Sequence, residues 1–222
     1  MTTEPIHERD AVPHYETEIL HEWVPIANGK VHGVTYDGSS IWFCADDKLV
    51  AIDPESGEIR RTLDVPAASA GTAFDGQHLY QLAKGEIRVL RPDDGTVLRT
   101  LPAPGKGEDS GMAWADGYLY VGQFRSSKIH KVDASTGEVV KTLSSDRFVT
   151  GVSCVEGEVW HGAAMGDAPT QLRHLASDGR VLEILDVDAP LVSGLEHIGE
   201  GRFACGGEAG RVRVVRKAGK KG

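Results

Sequence analysis

Several kinds of residue and sequence pattern are scarce in this chain, and each scarcity excludes a class of protein. Cysteine occurs only three times, at Cys44, Cys154 and Cys205, with no CxxC spacing, which is typical of reduced, buried thiols rather than of a disulfide framework. Lys and Arg total 24 against 33 Asp and Glu, a net charge of −9, so binding to nucleic acid or to an anionic membrane is not expected. No run of about 18 apolar residues occurs, which predicts that no helix spans a membrane.

The two ends of the chain carry no targeting or binding signal of their own. Residues 1–10 are polar and lack the hydrophobic segment of a signal peptide, which together with the sparse cysteines predicts a cytoplasmic protein. The basic residues between Arg211 and Lys221 alternate through a predicted strand and then trail off. This pattern predicts a solvated sheet edge and tail rather than a binding patch.

What the sequence does contain is an internal repeat. Its anchor glycines lie 38, 40, 40 and 43 residues apart, and each follows a small or polar residue and precedes a short apolar strand. A period near 40 residues with several short strands in each unit is typical of a β-propeller with one blade per repeat. The anchors are Gly33, Gly71, Gly111, Gly151 and Gly194.

Within each repeat the pattern predicts an innermost strand, a Gly-bearing hairpin turn, an aromatic-led second strand, a third strand and a final strand. An aromatic residue at the same place in every unit indicates a packing layer between neighbouring blades. These aromatic positions are Trp42, Tyr80, Tyr120, Trp160 and Phe203. The prediction is therefore an all-β, five-bladed β-propeller with four antiparallel strands per blade.

The fifth repeat lacks a fourth strand, and the other end of the chain supplies a match. Residues 19–23 (Ile-Leu-His-Glu-Trp) correspond to residues 59–63 before the next anchor, so the N-terminal strand, within residues 15–25, is expected to complete the last blade and close the ring. An open ring would leave unpaired edges that favour aggregation. The predicted domains are a flexible tail over 1–14, one propeller over 15–217 and a basic tail over 218–222.

Residues that break the repeat near the axis are the candidates for chemistry. His32 stands where the other repeats have Ala or a hydroxyl residue, and its proton affinity near neutral pH suits a general base or a metal ligand. Glu196 replaces a small residue deep in the innermost strand, where a carboxylate is costly to desolvate without a partner. We predict these two as catalytic residues and as ligands of one divalent metal ion, and a structural role for each stays open.

Further pattern-breaking polar residues fall in the loops on the same face. Mixed charge around a concave mouth is suited to binding a polar small molecule or a peptide. The protein is expected to be a monomer. No HExxH, phosphate-binding glycine loop or GxSxG motif is present. The predicted substrate-binding residues are Asp46, Lys84, Asp109, Gln123, Arg125, Arg147 and Glu208.

The segments at residues 41–59 and 128–139 resemble repeats of two bacterial propeller families, the streptogramin (virginiamycin B) lyase-like family and the glutaminyl-peptide cyclotransferases. The resemblance spans about residues 15–216 and lies in blade-building positions. The cyclotransferases are five-bladed, and residues 149–152 and 192–195 echo the end of their Phe-Thr-Gln-Gly-Leu phrase without its Gln. The lyase resemblance implies a metal, a histidine and carboxylates for elimination, and His32 and Glu196 would act in a related way without matching that family's site residue by residue.

Two functions remain open at this point. The first is binding of a polar small molecule or peptide at the mouth of the central channel, as a metal-assisted lyase or as a cyclotransferase. The second is a non-catalytic interaction or scaffold module, because propellers often serve as rigid binding platforms and the fold alone decides nothing.

Overall fold

The computed structural model describes residues 12–27, 29–166 and 168–220, and within these ranges the chain consists of strands, turns and loops without a helix. The described part therefore contains no helix that could cross a membrane. Most of the predicted N-terminal tail (residues 1–11), the last two residues of the predicted C-terminal tail and one residue of the Met165–Thr170 loop lie outside the described residues.

Twenty strands follow one another along the described residues, four for each repeat when the N-terminal strand is counted with the last. The N-terminal strand is β1 (His14–Trp23). The first repeat forms β2 (His32–Tyr36), β3 (Ile41–Ala45), β4 (Lys48–Ile52) and β5 (Ile59–Asp64). The second forms β6 (Ala68–Phe74), β7 (Leu79–Ala83), β8 (Glu86–Leu90) and β9 (Val97–Pro102).

The remaining repeats follow the same plan. The third forms β10 (Asp109–Ala115), β11 (Tyr118–Gln123), β12 (Lys128–Asp133) and β13 (Val139–Ser144). The fourth forms β14 (Phe148–Val155), β15 (Glu158–Ala164), β16 (Thr170–Leu175) and β17 (Val181–Val187). The last forms β18 (Gly194–His197), β19 (Arg202–Gly206) and β20 (Val212–Lys220).

These strands form three sheets of four strands and one sheet of eight, whereas the repeat predicts five separate sheets. The four-stranded sheets have the orders β2-β3-β4-β5, β6-β7-β8-β9 and β10-β11-β12-β13, and the large sheet has the order β14-β15-β16-β17-β1-β20-β19-β18. The difference arises at one seam, where β1 pairs with β17 in parallel, from His14 opposite Ile184 to Glu16 opposite Asp186. This short pairing joins two antiparallel units of four strands into one sheet.

Strand β1 also pairs with β20, the last strand of the described residues. The antiparallel register runs from Trp23 opposite Val212 to Tyr15 opposite Lys220. Strand β20 thus continues to Lys220, beyond the domain end expected at residue 217.

Opposite charges face each other across this pairing. Glu22 accepts hydrogen bonds from Arg211 and from Arg213, the latter at 2.6 Å between Oε2 and Nε. Glu18 accepts one from Arg216 Nε at 2.9 Å. The basic run, predicted to be a solvated edge, is therefore engaged in ion pairs with the N-terminal strand.

The five innermost strands approach one another most closely at the anchor glycines. A Cβ atom added at any of these glycines would lie under 3 Å from the backbone of the next innermost strand, so only glycine fits there. The contacts run in a closed cycle: Gly33 faces Gly71 and Thr72, Gly71 faces Gly111 and Met112, Gly111 faces Gly151 and Val152, Gly151 faces Gly194 and Leu195, and Gly194 faces Gly33 and Val34.

The core lies in layers between successive four-stranded units around this cycle, with the second-strand aromatic residues inside them. Trp42 packs with Leu79 of the following repeat, and Tyr80 packs with Leu119 in the same way. Trp160 meets Phe203 at 5.0 Å between ring centroids. The innermost strands are thereby fixed around one axis, and the residues next to the anchor glycines gather at its two ends.

Candidate binding site at the mouth of the ring

One end of the axis opens into a cavity of about 240 Å³, called here the mouth cavity. Each repeat contributes the residue that immediately precedes its anchor glycine, so the cavity lies on the axis of the ring. These five lining residues are His32, Ala70, Ser110, Thr150 and Ser193. Asp109 and Phe124 also line the cavity.

Two residues of this lining each have a buried oxygen atom without a hydrogen-bond partner among the described residues: Asp109 Oδ2 and Thr150 Oγ1. The other carboxylate oxygen, Asp109 Oδ1, accepts a hydrogen bond from the backbone N–H of Gly105 at 2.8 Å. Burial raises the pKa of Asp109, although the backbone N–H groups of Gly105, Gly107 and Asp109 itself favour the charged form. Because buried polar atoms are nearly always paired, the two oxygens indicate a place where a ligand donor would be favourable.

His32 is half-buried on the opposite side of the repeat cycle from Asp109. Burial lowers the pKa of His32, nearby Lys30 lowers it further, and Asp46 opposes them. The imidazole is therefore neutral at pH 7 and can accept a proton, which is the state required of a general base.

Gln123 and Arg125 lie beside the mouth cavity rather than in its lining. Gln123 is the register partner of Asp109 between β10 and β11, and its Oε1 accepts a hydrogen bond from Ser126 Oγ at 2.7 Å. Arg125 is exposed and lines a second, open cavity of about 400 Å³ together with Glu108, Asp109 and Phe124. We call this second space the outer cavity.

The other predicted substrate-binding residues lie in loops and do not line the mouth cavity. Asp46 and Lys84 are exposed and adopt the left-handed conformation, with φ of 46° and 50°, in the turns between second and third strands. Glu208 forms an ion pair with Lys30 at 3.6 Å. The backbone N–H of Arg147 donates to Ser145 Oγ at 3.1 Å.

Glu196 lies further along the axis than the mouth cavity, between two neighbouring innermost strands. Its Oε2 accepts a hydrogen bond from Thr35 Oγ1 and its Oε1 accepts one from Ser153 Oγ, each at 3.0 Å. Burial raises the pKa of Glu196 to about 7, although these hydroxyl groups and the backbone N–H of His197 favour the charged form. The carboxylate thus ties β18 to both β2 and β14.

The structure does not bring His32 and Glu196 together, because they occupy different levels of the ring. His32 precedes its anchor glycine by one residue, whereas Glu196 follows its anchor by two. Three residues of strand correspond to about 10 Å along the axis. Among the described residues no group of three His, Cys, Asp or Glu side chains is placed to hold a metal ion, so these two residues do not fit the predicted metal site.

We expect a Glu196→Gln variant to unfold less readily than the wild type at pH 8, with a much smaller difference at pH 5. A folded-state pKa of about 7 against 4.5 for an exposed glutamate means that the folded protein binds the proton more tightly. The stabilisation that comes from protonating Glu196 in the folded state is therefore complete below pH 4.5 and is lost as the pH rises through about 7. The difference at pH 8 should be about 1–3 kcal/mol, discounted for residual water contact.

Urea unfolding of both proteins between pH 5 and pH 8 measures this difference. A Glu138→Gln variant, changed at an exposed turn, serves as the control and should follow the wild type at each pH. Equal stability of wild type and Glu196→Gln across the range would show that the carboxylate ionises freely inside the ring.

Two features of the mouth cavity are not predicted from the sequence: the unpaired oxygen of Thr150 and the exposed aromatic pair beside the cavity. Thr150 matches the hydroxyl residues of other repeats, so its unpaired oxygen has no sequence signal. Phe124 and Phe148 form a ring contact with centroids 4.9 Å apart and planes tilted by 36°. Phe124 and Phe148 are each more than one third exposed, at 37% and 38%. In the sequence, the one sign of a contact surface here is a phenylalanine, Phe124, within an otherwise polar loop.

Comparison with known proteins supports the fold. The crystal structure of the glutaminyl cyclase of Myxococcus xanthus matches with a TM-score of 0.78 over 96% of this chain and 100% of that chain, at 16% sequence identity. A chain of a mitotic checkpoint complex matches with a TM-score of 0.56 over 98% of this chain and 99% of that chain, at 12% identity. No family model and no curated protein sequence matches the chain. These likenesses show an all-β, propeller-like fold.

Proposed function

We propose that this protein binds the amino end of a peptide, or a similar polar small molecule, in the mouth cavity. The observation that carries the proposal is the pair of unpartnered buried oxygens, Asp109 Oδ2 and Thr150 Oγ1. An ammonium group is a donor only, and an N–H···carboxylate hydrogen bond is among the stronger polar contacts in proteins. A bound amine would offer donors to these oxygens and would favour the charged form of Asp109.

The proposal includes a count of the blades. The eight-stranded sheet divides at the parallel seam into β14-β15-β16-β17 and β1-β20-β19-β18, and the anchor glycines form a cycle of five. We therefore treat the fold as a five-bladed propeller in which β1 completes the last blade. Five innermost strands leave a narrow axis, which favours a site at the mouth rather than a channel through the molecule.

The proposed reaction is the cyclisation of an N-terminal glutaminyl residue, suggested by the structural likeness to a glutaminyl cyclase. The α-amine nitrogen forms a bond to the side-chain amide carbon, the bond from that carbon to its amide nitrogen breaks, and ammonia leaves. The bound ammonium first gives one proton to neutral His32, which lines the same cavity as Asp109 and is the residue we assign as the base. After the attack a second proton passes from the same nitrogen to the departing nitrogen, and His32 releases its proton to water.

An Asp109→Asn variant is expected to bind a glutaminyl peptide at least about tenfold more weakly than the wild type. Hydrogen bonds to charged groups contribute about 1.5–3 kcal/mol, and the neutral amide no longer attracts the ammonium. Isothermal titration with a short glutaminyl peptide amide measures the affinity. The same peptide acetylated at its amine should bind the wild type weakly and should not distinguish wild type from variant.

Asp116→Asn is the matched control, because Asp116 is an exposed turn residue in the same repeat. Ammonia release from the peptide tests the reaction, and His32→Gln should retain binding while losing release. Equal affinity of wild type and Asp109→Asn, or preference for the acetylated peptide, would contradict the proposed site. Binding without ammonia release in the wild type would leave a binding protein and remove the cyclisation.

The second candidate function is a non-catalytic interaction module. The outermost strands β5, β9 and β13 expose apolar side chains that a partner protein could cover, and a structural neighbour belongs to a multiprotein complex. Substitutions in the mouth cavity would not affect such a partner, whereas substitutions on these strands would. The exposed side chains are Ile59, Val97, Leu98, Val139 and Val140.

A further inference from the structure

The exposed aromatic pair Phe124–Phe148 stands next to the proposed binding site. Phenyl rings lose favourable burial when they remain in water. Among the described residues the other large exposed apolar side chains are aliphatic or methionine. The pair therefore differs in kind from the scattered aliphatic residues, whose exposure needs no special explanation.

Phe124, one ring of the pair, lies between the mouth cavity and the outer cavity. Phe124 lines both spaces, and so does Asp109. The backbone N–H of Phe124 donates to the carbonyl oxygen of Glu108, the residue before Asp109. Phe148 is followed by Val149, whose carbonyl oxygen accepts from the lining residue Ser110 at 2.7 Å.

Peptide dimensions place a second residue at this pair when the first residue lies in the mouth cavity. Asp109 is the register partner of Gln123, so Phe124 begins about one strand spacing, roughly 5 Å, from Asp109. An extended peptide advances about 3.3–3.6 Å for each residue. A peptide whose amine meets Asp109 therefore passes Phe124 with its second side chain.

We infer that Phe124 and Phe148 form a specificity subsite, which takes an apolar or aromatic side chain at the second position of a short peptide ligand. The inference rests on the proposed function and adds a substrate class to it: peptides with a free amine followed by a bulky apolar residue. The exposed rings offer a flat apolar surface, and the ligand side chain would remove that surface from water.

The test compares two peptide amides, glutaminyl-phenylalanine and glutaminyl-glycine, by isothermal titration against the full chain. The wild type is expected to bind the phenylalanine peptide about tenfold more tightly, because a partly buried phenyl group contributes enough apolar contact for such a factor. Phe124→Ala should bring the two affinities within about twofold of each other, because it weakens binding of the phenylalanine peptide more than binding of the glycine peptide. Phe148→Ala should reduce the preference in the same direction.

Val140→Ala is the control, since Val140 is 54% exposed on the outermost strand β13, and it should keep the full preference. Thermal unfolding of each variant verifies that the fold is retained. Equal affinity of the wild type for both peptides, or an equal loss for both peptides in Phe124→Ala, would overturn the subsite and leave the mouth site intact. Absence of binding of either peptide to the wild type would overturn the proposed function and the subsite together.

Discussion

Deletion of residues 1–23 is expected to abolish the soluble, cooperatively unfolding protein. The deletion removes β1 from between β17 and β20 and leaves both of these strands with an unpaired edge. It also removes Leu20 and Trp23, which pack against the core layer around Val34 and Val212. The loss is of the order of the whole stability of a domain, about 5–15 kcal/mol, and exposed edges favour aggregation.

Addition of a synthetic peptide covering residues 12–27 should restore solubility and a cooperative unfolding transition. Size-exclusion chromatography measures the first and circular dichroism the second. The control peptide carries Lys in place of Glu18 and Glu22, which places like charges opposite Arg216 and Arg213, and should not rescue the deletion. A truncated protein that remained soluble with an unchanged unfolding midpoint would show that β1 is dispensable for the fold.

Gly111→Ala is expected to destabilise the protein by about 3 kcal/mol or more, near the upper end of the effects of overpacking. The added Cβ would lie 2.5 Å from the backbone nitrogen of Val152 and 2.6 Å from the carbonyl carbon of Gly151. Both atoms belong to the backbone of the next innermost strand, so the clash can be relieved only by moving a strand. Because Gly111 has no positive φ, the loss comes from this contact and not from backbone strain.

Urea unfolding measures the loss, and Gly219→Ala is the matched control. A Cβ at Gly219 meets no atom within 4 Å, and its φ is not positive, so that variant should match the wild type. A small loss of stability in Gly111→Ala, close to that of Gly219→Ala, would mean that the innermost strands are not packed backbone to backbone.

Most of the fold can be predicted from the sequence because its determinants recur in every repeat. Each anchor glycine marks a close backbone approach, and each second-strand aromatic residue marks a packing layer, as Gly111 and Trp42 illustrate. The parallel seam between His14–Glu16 and Ile184–Asp186 has no such signal. It pairs segments about 170 residues apart, with a side-chain contact between His14 and Asp186 at 2.8 Å, and it occurs once, so no repeat reveals it.

The site can be predicted less completely because repeat position does not fix depth along the axis. Asp109 lines the mouth cavity as a predicted binding residue, whereas Glu196 and His32, predicted to hold one metal ion, lie at different depths. Thr35, three residues after His32 on the same strand, bonds to Glu196 instead. A carboxylate in an innermost strand is costly to desolvate, and burial raises the pKa of Glu196 accordingly.

Amide chemical shifts of the isotope-labelled protein, recorded during titration with a glutaminyl-phenylalanine amide, locate ligand binding most directly. Binding at the mouth of the ring should shift the amides of Asp109, Phe124 and Thr150 most strongly, and a mouth ligand should leave the outermost strands β5, β9 and β13 unchanged. Shifts confined to those outer strands, or to the seam between β1 and β17, would contradict a binding site on the axis.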